Sequence, residues 1–207
     1  MIHRFIAGKF RRPVGLFGRL VGNVMARSNE YEAGWTVSLL SIQPEDHVLE
    51  LGFGPGVAIQ RASQEAVRGV VAGIDYSETM VRVARRRNAA AVKSGRVTLR
   101  QGEGAALPYP DESFDKALSI HCVYFWPLPV DTMKELWRTL KPGGSLAVTI
   151  LPREKWPKSR TPPDDIFTLY DVSEVSQIFL YAGFPNVRIE LCPRPDKFPG
   201  ACVIGVK

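Results

Sequence analysis

The stretch Val48-Leu49-Glu50-Leu51-Gly52-Phe53-Gly54-Pro55-Gly56 constrains this chain more than any other. An apolar run ends in three glycines at alternate positions, and a helical pattern over Val57–Val67 follows at once. A strand turning this tightly into a helix opens a parallel sheet, because the helix must carry the chain back for the next strand. The alternation then continues. His47–Phe53, Gly69–Asp75, Val97–Gln101, Phe114–His121 and Ser145–Leu151 read as strands. Gly69–Asp75 is almost wholly apolar, as expected of a strand covered on both faces. Helices are predicted over Glu78–Lys93, with Ser77 as N-cap and Gly95 past its end, and over Asp131–Leu140, stopped by Lys141-Pro142-Gly143-Gly144. Another is predicted over Ser173–Ala182, ended by Gly183. Val187–Cys192 and Ala201–Val206 are strands with no helix between them, which predicts an antiparallel hairpin at one edge.

Charge divides the chain. The whole sequence has 27 Lys+Arg against 21 Asp+Glu, a net +6. Arg4, Lys9, Arg11, Arg12, Arg19 and Arg27 lie in residues 1–27, which hold no acid. All of the excess sits in that arm, and the body is neutral. A neutral body disfavours nucleic acid as a partner. The run Arg82, Arg85, Arg86, Arg87 reads as the solvated face of a helix. No stretch of about 18 apolar residues is present to span a bilayer. Cys122, Cys192 and Cys202 are widely spaced, so no metal site is expected and a reduced, cytoplasmic setting fits. Residues 1–46 are expected to form a basic helical arm or lid, with helices over Pro13–Ala26 and Glu30–Leu40, and residues 47–207 the α/β domain. Residues 152–165 form a Pro-rich basic loop of the kind that closes sites.

The glycine turn carries the first chemistry. Gly52 and Gly54 let a ligand approach the backbone. A dinucleotide fingerprint needs a glycine where this chain has Val57, so a pyrophosphate cradle is disfavoured. Glu50 beside the turn would repel phosphate and suits a cationic or amine-bearing ligand. Asp75, at the end of the second strand, is placed to bond ribose hydroxyls; its alternative is a charge on the next helix N-terminus. Tyr76 and Met80 could wall an adenine ring. Glu103 can accept from an exocyclic amine, and the Gly104 N–H can donate to a ring nitrogen.

Together VLELGFGPG, GIDYSETM, GEGAALPYPDESFDKALS and LKPGGSLAVTI resemble the class I S-adenosylmethionine-dependent methyltransferases, from about residue 30 to the C-terminus. The resemblance implies a Rossmann-like seven-stranded sheet with a reversed last strand and helices on both faces. It implies that Glu50, Gly52, Gly54 and Gly56 hold the methionine part of S-adenosylmethionine, Asp75 the ribose, and Glu103 with Gly104 the adenine. S-Adenosylhomocysteine would be the product. The family's usual Asp-Ala of the adenine motif is Glu103-Gly104 here.

The acceptor is narrowed by absences. There is no Asn-Pro-Pro-Tyr motif and no proline-cysteine nucleophile. Ser119-Ile120-His121-Cys122-Val123-Tyr124-Phe125-Trp126-Pro127 resembles the acceptor-side segment of the small-molecule type-11 group. Tyr124 and Trp126 are expected to touch substrate, with Trp156 and Tyr170 from the lid side. His121 is the one histidine expected near the crevice, either as general base or as a contact to the cofactor carboxylate. The expected function is methyl transfer to a small hydrophobic or aromatic metabolite. The alternatives are a phospholipid-headgroup N-methyltransferase and a non-catalytic S-adenosylmethionine-binding module. The arm either closes the site, docks on an anionic membrane through residues 1–27, or grips RNA. Oligomeric state is not set by these residues.

Overall fold

The computed structural model describes residues 29–156 and 167–207. Strands β1 (His47–Leu51), β2 (Val70–Asp75), β3 (Val97–Gln101), β4 (Phe114–Ile120), β5 (Leu140–Ile150), β6 (Asn186–Leu191) and β7 (Ala201–Val206) form one sheet in the order β3-β2-β1-β4-β5-β7-β6. The first five pair in parallel, and β7 runs antiparallel to both β5 and β6. This is the Rossmann-like sheet with a reversed C-terminal pair. The order in which successive strands are added reverses between β1 and β4, and ligand crevices open at the carboxyl ends of strands beside such a switch.

Side-chain alternation sorts the core into two layers. Leu49, Leu51, Ala117, Leu146 and Val148 face α5 (Pro129–Thr139) and α6 (Val172–Ala182). Val48, Val71, Leu118 and Ala147 face α1 (Glu30–Leu39), α2 (Val57–Glu65) and α3 (Glu78–Arg87). Asp171 caps α6 through a capping box with Glu174, and Gly183 ends the helix at φ 106°. Among the described residues no helix is long and apolar enough to cross a membrane.

Two expectations change. The helix predicted over Glu78–Lys93 breaks at Asn88, giving α3 and the short α4 (Ala89–Lys93). The Asn88 amide donates to the carbonyls of Ala84 (2.9 Å) and Gly56 (3.1 Å), a local alternative to the helix ladder. Lys141-Pro142-Gly143-Gly144 lies inside β5, as a register shift against β4 that accommodates the proline. In the part of residues 1–46 that is described, α1 packs on the sheet, burying Ala33, Thr36 and Val37, with Thr36 bonded to Thr149 at 2.6 Å. The Pro13–Ala26 helix and the basic arm lie outside the described residues.

Candidate functional site

A cleft of about 250 Å³ opens over the ends of β1, β2 and β4. The turn after β1 builds its floor. Gly52 and Gly56 both have φ 78°, a conformation costly for any residue with a Cβ. A Cβ on Gly52 would overlap the Cys122 sulfur, so the turn and the end of β4 meet only because that position is bare. The Gly52 N–H donates to the Ile74 carbonyl at 2.7 Å, locking the turn to β2.

The cleft is acidic. Glu50, Asp75 and Glu103 line it, and no Lys or Arg does so among the described residues. Glu50 is 3% exposed, and its Oε2 has no hydrogen-bond partner among them. Burial, reinforced by the neighbouring Asp75 charge, raises its pKa to about 8. Asp75 accepts from the Ser77 N–H (2.7 Å) and the Gly54 N–H (2.8 Å). Burial outweighs those two bonds and raises its pKa to about 6. A buried, unsatisfied carboxylate beside a second one is costly unless a cation joins them.

The loop bearing Glu103 and Gly104 is fixed from below by Arg138 on α5. Its guanidinium bonds Glu135, Asp111 and the carbonyls of Leu107 and Tyr109. Glu135 in turn accepts from the Leu107 N–H at 2.9 Å. Gly104 lies so close to Leu51 and Thr132 that a Cβ would come within 2.9 Å of both side chains.

The other half of the cleft is apolar and aromatic. Ile120, His121, Cys122, Phe125, Trp126 and Pro127 line it. His121 leaves β4 with φ 54°, a strained value for a non-glycine residue. That kink turns the chain into the short 3₁₀ turn Val123–Phe125. Burial lowers the His121 pKa to about 4, so its imidazole is neutral near pH 7. Its Nδ1 lies 3.4 Å from the Tyr124 hydroxyl, and Phe198 packs edge-on against the ring at 5.2 Å.

The expected site residues separate into two groups. Glu50, Gly52, Gly54, Asp75, Tyr76, Met80, Glu103, Gly104, His121 and Trp126 all line the cleft. Gly56, Tyr124, Trp156 and Tyr170 do not. Gly56 sits behind the turn, where a Cβ would come within 2.7 Å of Ala84, so it serves the packing of α2 on α3. Tyr124 is 2% exposed and stacked on Phe167 at 4.8 Å. Its hydroxyl accepts from the Leu151 N–H at 2.5 Å. Trp156 packs edge-on against both rings and donates from Nε1 to the Leu151 carbonyl. Tyr170 joins the same cluster from the next turn of chain. These aromatics hold the two flanks of residues 157–166 to the core. Sequence reasoning did not single out Asn29, Ala33 or Phe125 as cleft residues, nor Phe198 as the ring held against His121. No motif marks Phe198, which arrives from a loop far along the chain.

Comparison with known proteins agrees with this geometry. Residues 49–148 match the type-11 family described as a methyltransferase domain. Over 135 residues the chain is 37% identical to the uncharacterized methyltransferase YdaC of Bacillus subtilis, covering 65% of this chain and 72% of that protein. It is 34% identical over 137 residues to a demethylmenaquinone methyltransferase of Symbiobacterium thermophilum, covering 62% of this chain and 55% of that one. The chain thus spans about half the length of that enzyme. In three dimensions it resembles an S-adenosylmethionine-dependent methyltransferase of Thermotoga maritima, with a TM-score of 0.68 at 25% identity, covering 92% of this chain and 98% of the other.

Proposed function

The chain belongs to the class I S-adenosylmethionine-dependent methyltransferases, and on that footing we propose that it methylates a small hydrophobic or aromatic molecule. The observation that carries the reading is the charge division of the cleft: three carboxylates without a base at one end, and an apolar aromatic wall at the other. The acidic end suits a ligand carrying an ammonium and a sulfonium and rejects a pyrophosphate. Glu50 and the bare backbone of Gly52 and Gly54 would hold the methionine part. Asp75 would bind the ribose, and Tyr76, Met80, Glu103 and Gly104 the adenine. When bound, S-adenosylmethionine supplies an electrophilic methyl group for in-line displacement.

The chain's own contribution is positional. Ile120, Phe125, Trp126 and Pro127 would exclude water and orient a flat acceptor at near-attack distance. His121, neutral near pH 7, would receive the proton from an acceptor O–H or N–H, with its ring held by Tyr124 and Phe198. Its low pKa makes it a weak base, suited to a proton that becomes acidic as the methyl bond forms. Demethylmenaquinone methyltransferases among its relatives support a hydrophobic acceptor, while the Thermotoga maritima neighbour, described as a possible histamine N-methyltransferase, keeps an amine acceptor open to the same test.

The direct test is transfer of labelled methyl from S-adenosylmethionine to a fractionated cell extract, read by mass spectrometry. A labelled hydrophobic product is expected, and Asp75→Ala should remove it together with cofactor binding. Cofactor binding without any labelled product would leave a binding module instead of an enzyme.

A further inference from the structure

Strand β6 is an edge of the sheet, and its surface is unusual for one. On one face Val187 packs into the core, whereas Ile189 and Leu191 are 49% and 72% exposed. On the other face stand Arg188 and Glu190, ion-paired to each other at 2.6 Å. Edges are ordinarily blunted by proline, a bulge or charged side chains. Asn186–Leu191 contains no proline or bulge, and its two charges, Arg188 and Glu190, neutralise each other.

The backbone is equally open. The Cys192 N–H donates to the Gly200 carbonyl at 3.0 Å. Antiparallel pairs alternate between bonded and non-bonded positions. In the observed register, the main-chain groups of Arg188 and Glu190 therefore point to β7, and those of Val187, Ile189 and Leu191 point away from the sheet. No described residue hydrogen-bonds to these outward groups.

We propose that β6 pairs with β6 of a second copy of this chain, antiparallel and centred on Ile189, joining the two sheets edge to edge. In that register each outward N–H meets an outward carbonyl. Val187 lies opposite the partner's Leu191, and Ile189 opposite the partner's Ile189, so the exposed apolar side chains cover each other. Arg188 lies opposite the partner's Glu190, and the two-fold axis repeats the pair. Centring one residue to either side still bonds the outward backbone groups but sets Arg188 or Glu190 against itself. The backbone pattern thus requires odd-numbered residues to face odd-numbered ones, and among those registers the charge pattern selects the one centred on Ile189. The edge is separated from β4 by β5 and β7, so both cofactor clefts stay open.

Sedimentation velocity on the full chain tests this. The expected species has twice the 23.0 kDa protomer mass. Ile189→Pro removes a central outward N–H and should give monomer with an unchanged thermal melt. Arg188→Glu and Glu190→Arg should each weaken the dimer at least about tenfold, because two cross-strand charge pairs become repulsive. Mixed together, these two variants should form a heterodimer, since an all-acidic edge then faces an all-basic one. A wild-type chain that stays monomeric at every concentration overturns the proposal. So does a dimer that survives Ile189→Pro, or a failure of the two charge variants to combine.

Discussion

Glu50 is the residue whose environment most needs a ligand. In the free protein its carboxyl is neutral near pH 7, because burial and Asp75 raise its pKa to about 8. A cation entering the cleft must therefore displace a proton. Affinity for S-adenosylmethionine should rise with pH up to about 8, with proton release detectable by calorimetry in buffers of different ionisation enthalpy. Glu50→Gln should flatten that dependence. The sign for stability is the opposite. Acids whose folded pKa is raised favour the folded state at low pH, so Glu50 and Asp75 withdraw stability as pH climbs from the unfolded carboxylate range toward about 8. His121 acts in the other direction: its pKa near 4 withdraws stability as pH falls below its unfolded value. Phe198 is the positioning partner of that histidine. Phe198→Ala should admit water and raise the His121 pKa toward its ordinary range, read by proton NMR among only three histidines. Phe198→Leu should keep it low. If His121 is the base, His121→Ala should lower the transfer rate by about 10² to 10⁴ with cofactor affinity retained.

At the scale of elements, Arg138 is where a residue outside the site controls it. It bridges α5 to the loop that carries Glu103 and Gly104. Arg138→Ala removes the guanidinium bonds to the Leu107 and Tyr109 carbonyls and leaves the Glu135 carboxylate, which alone still holds the Leu107 N–H, without its cation. A loss of about 1–3 kcal/mol in stability is expected by denaturant unfolding, with weaker binding at the adenine end. None of this was legible in the sequence, because the contacts span loop and helix with no spacing rule. What was legible followed periodicity and turn chemistry: the five parallel strands, the glycine turn and the terminal hairpin. Errors arose where local and tertiary demands diverge. Lys141-Pro142-Gly143-Gly144 has the composition of a turn but is drawn into β5 as a bulge, tied to Lys207 through Gly143 and Gly144. The aromatics after β4 fit a ligand wall as well as a core. Trp126 lines the cleft, and Tyr124, two residues earlier, is consumed in packing. The helical turn between them decides which is which, and that turn follows from the backbone kink at His121.

At the scale of the whole molecule, the position of β7 sets a constraint on how the protein can be made. This strand is the last of the seven in sequence, yet it lies inside the sheet, between β5 and β6. Five of its six residues are buried. During synthesis β6 emerges first and has no neighbour to bond, while β5 presents a bare flank. The nascent chain therefore carries two unsatisfied strand edges until Ala201–Val206 clears the ribosome and inserts between them. Folding of the C-terminal half is expected to be completed by that single late insertion, which makes the interval before it the period when the protein is most exposed to aggregation.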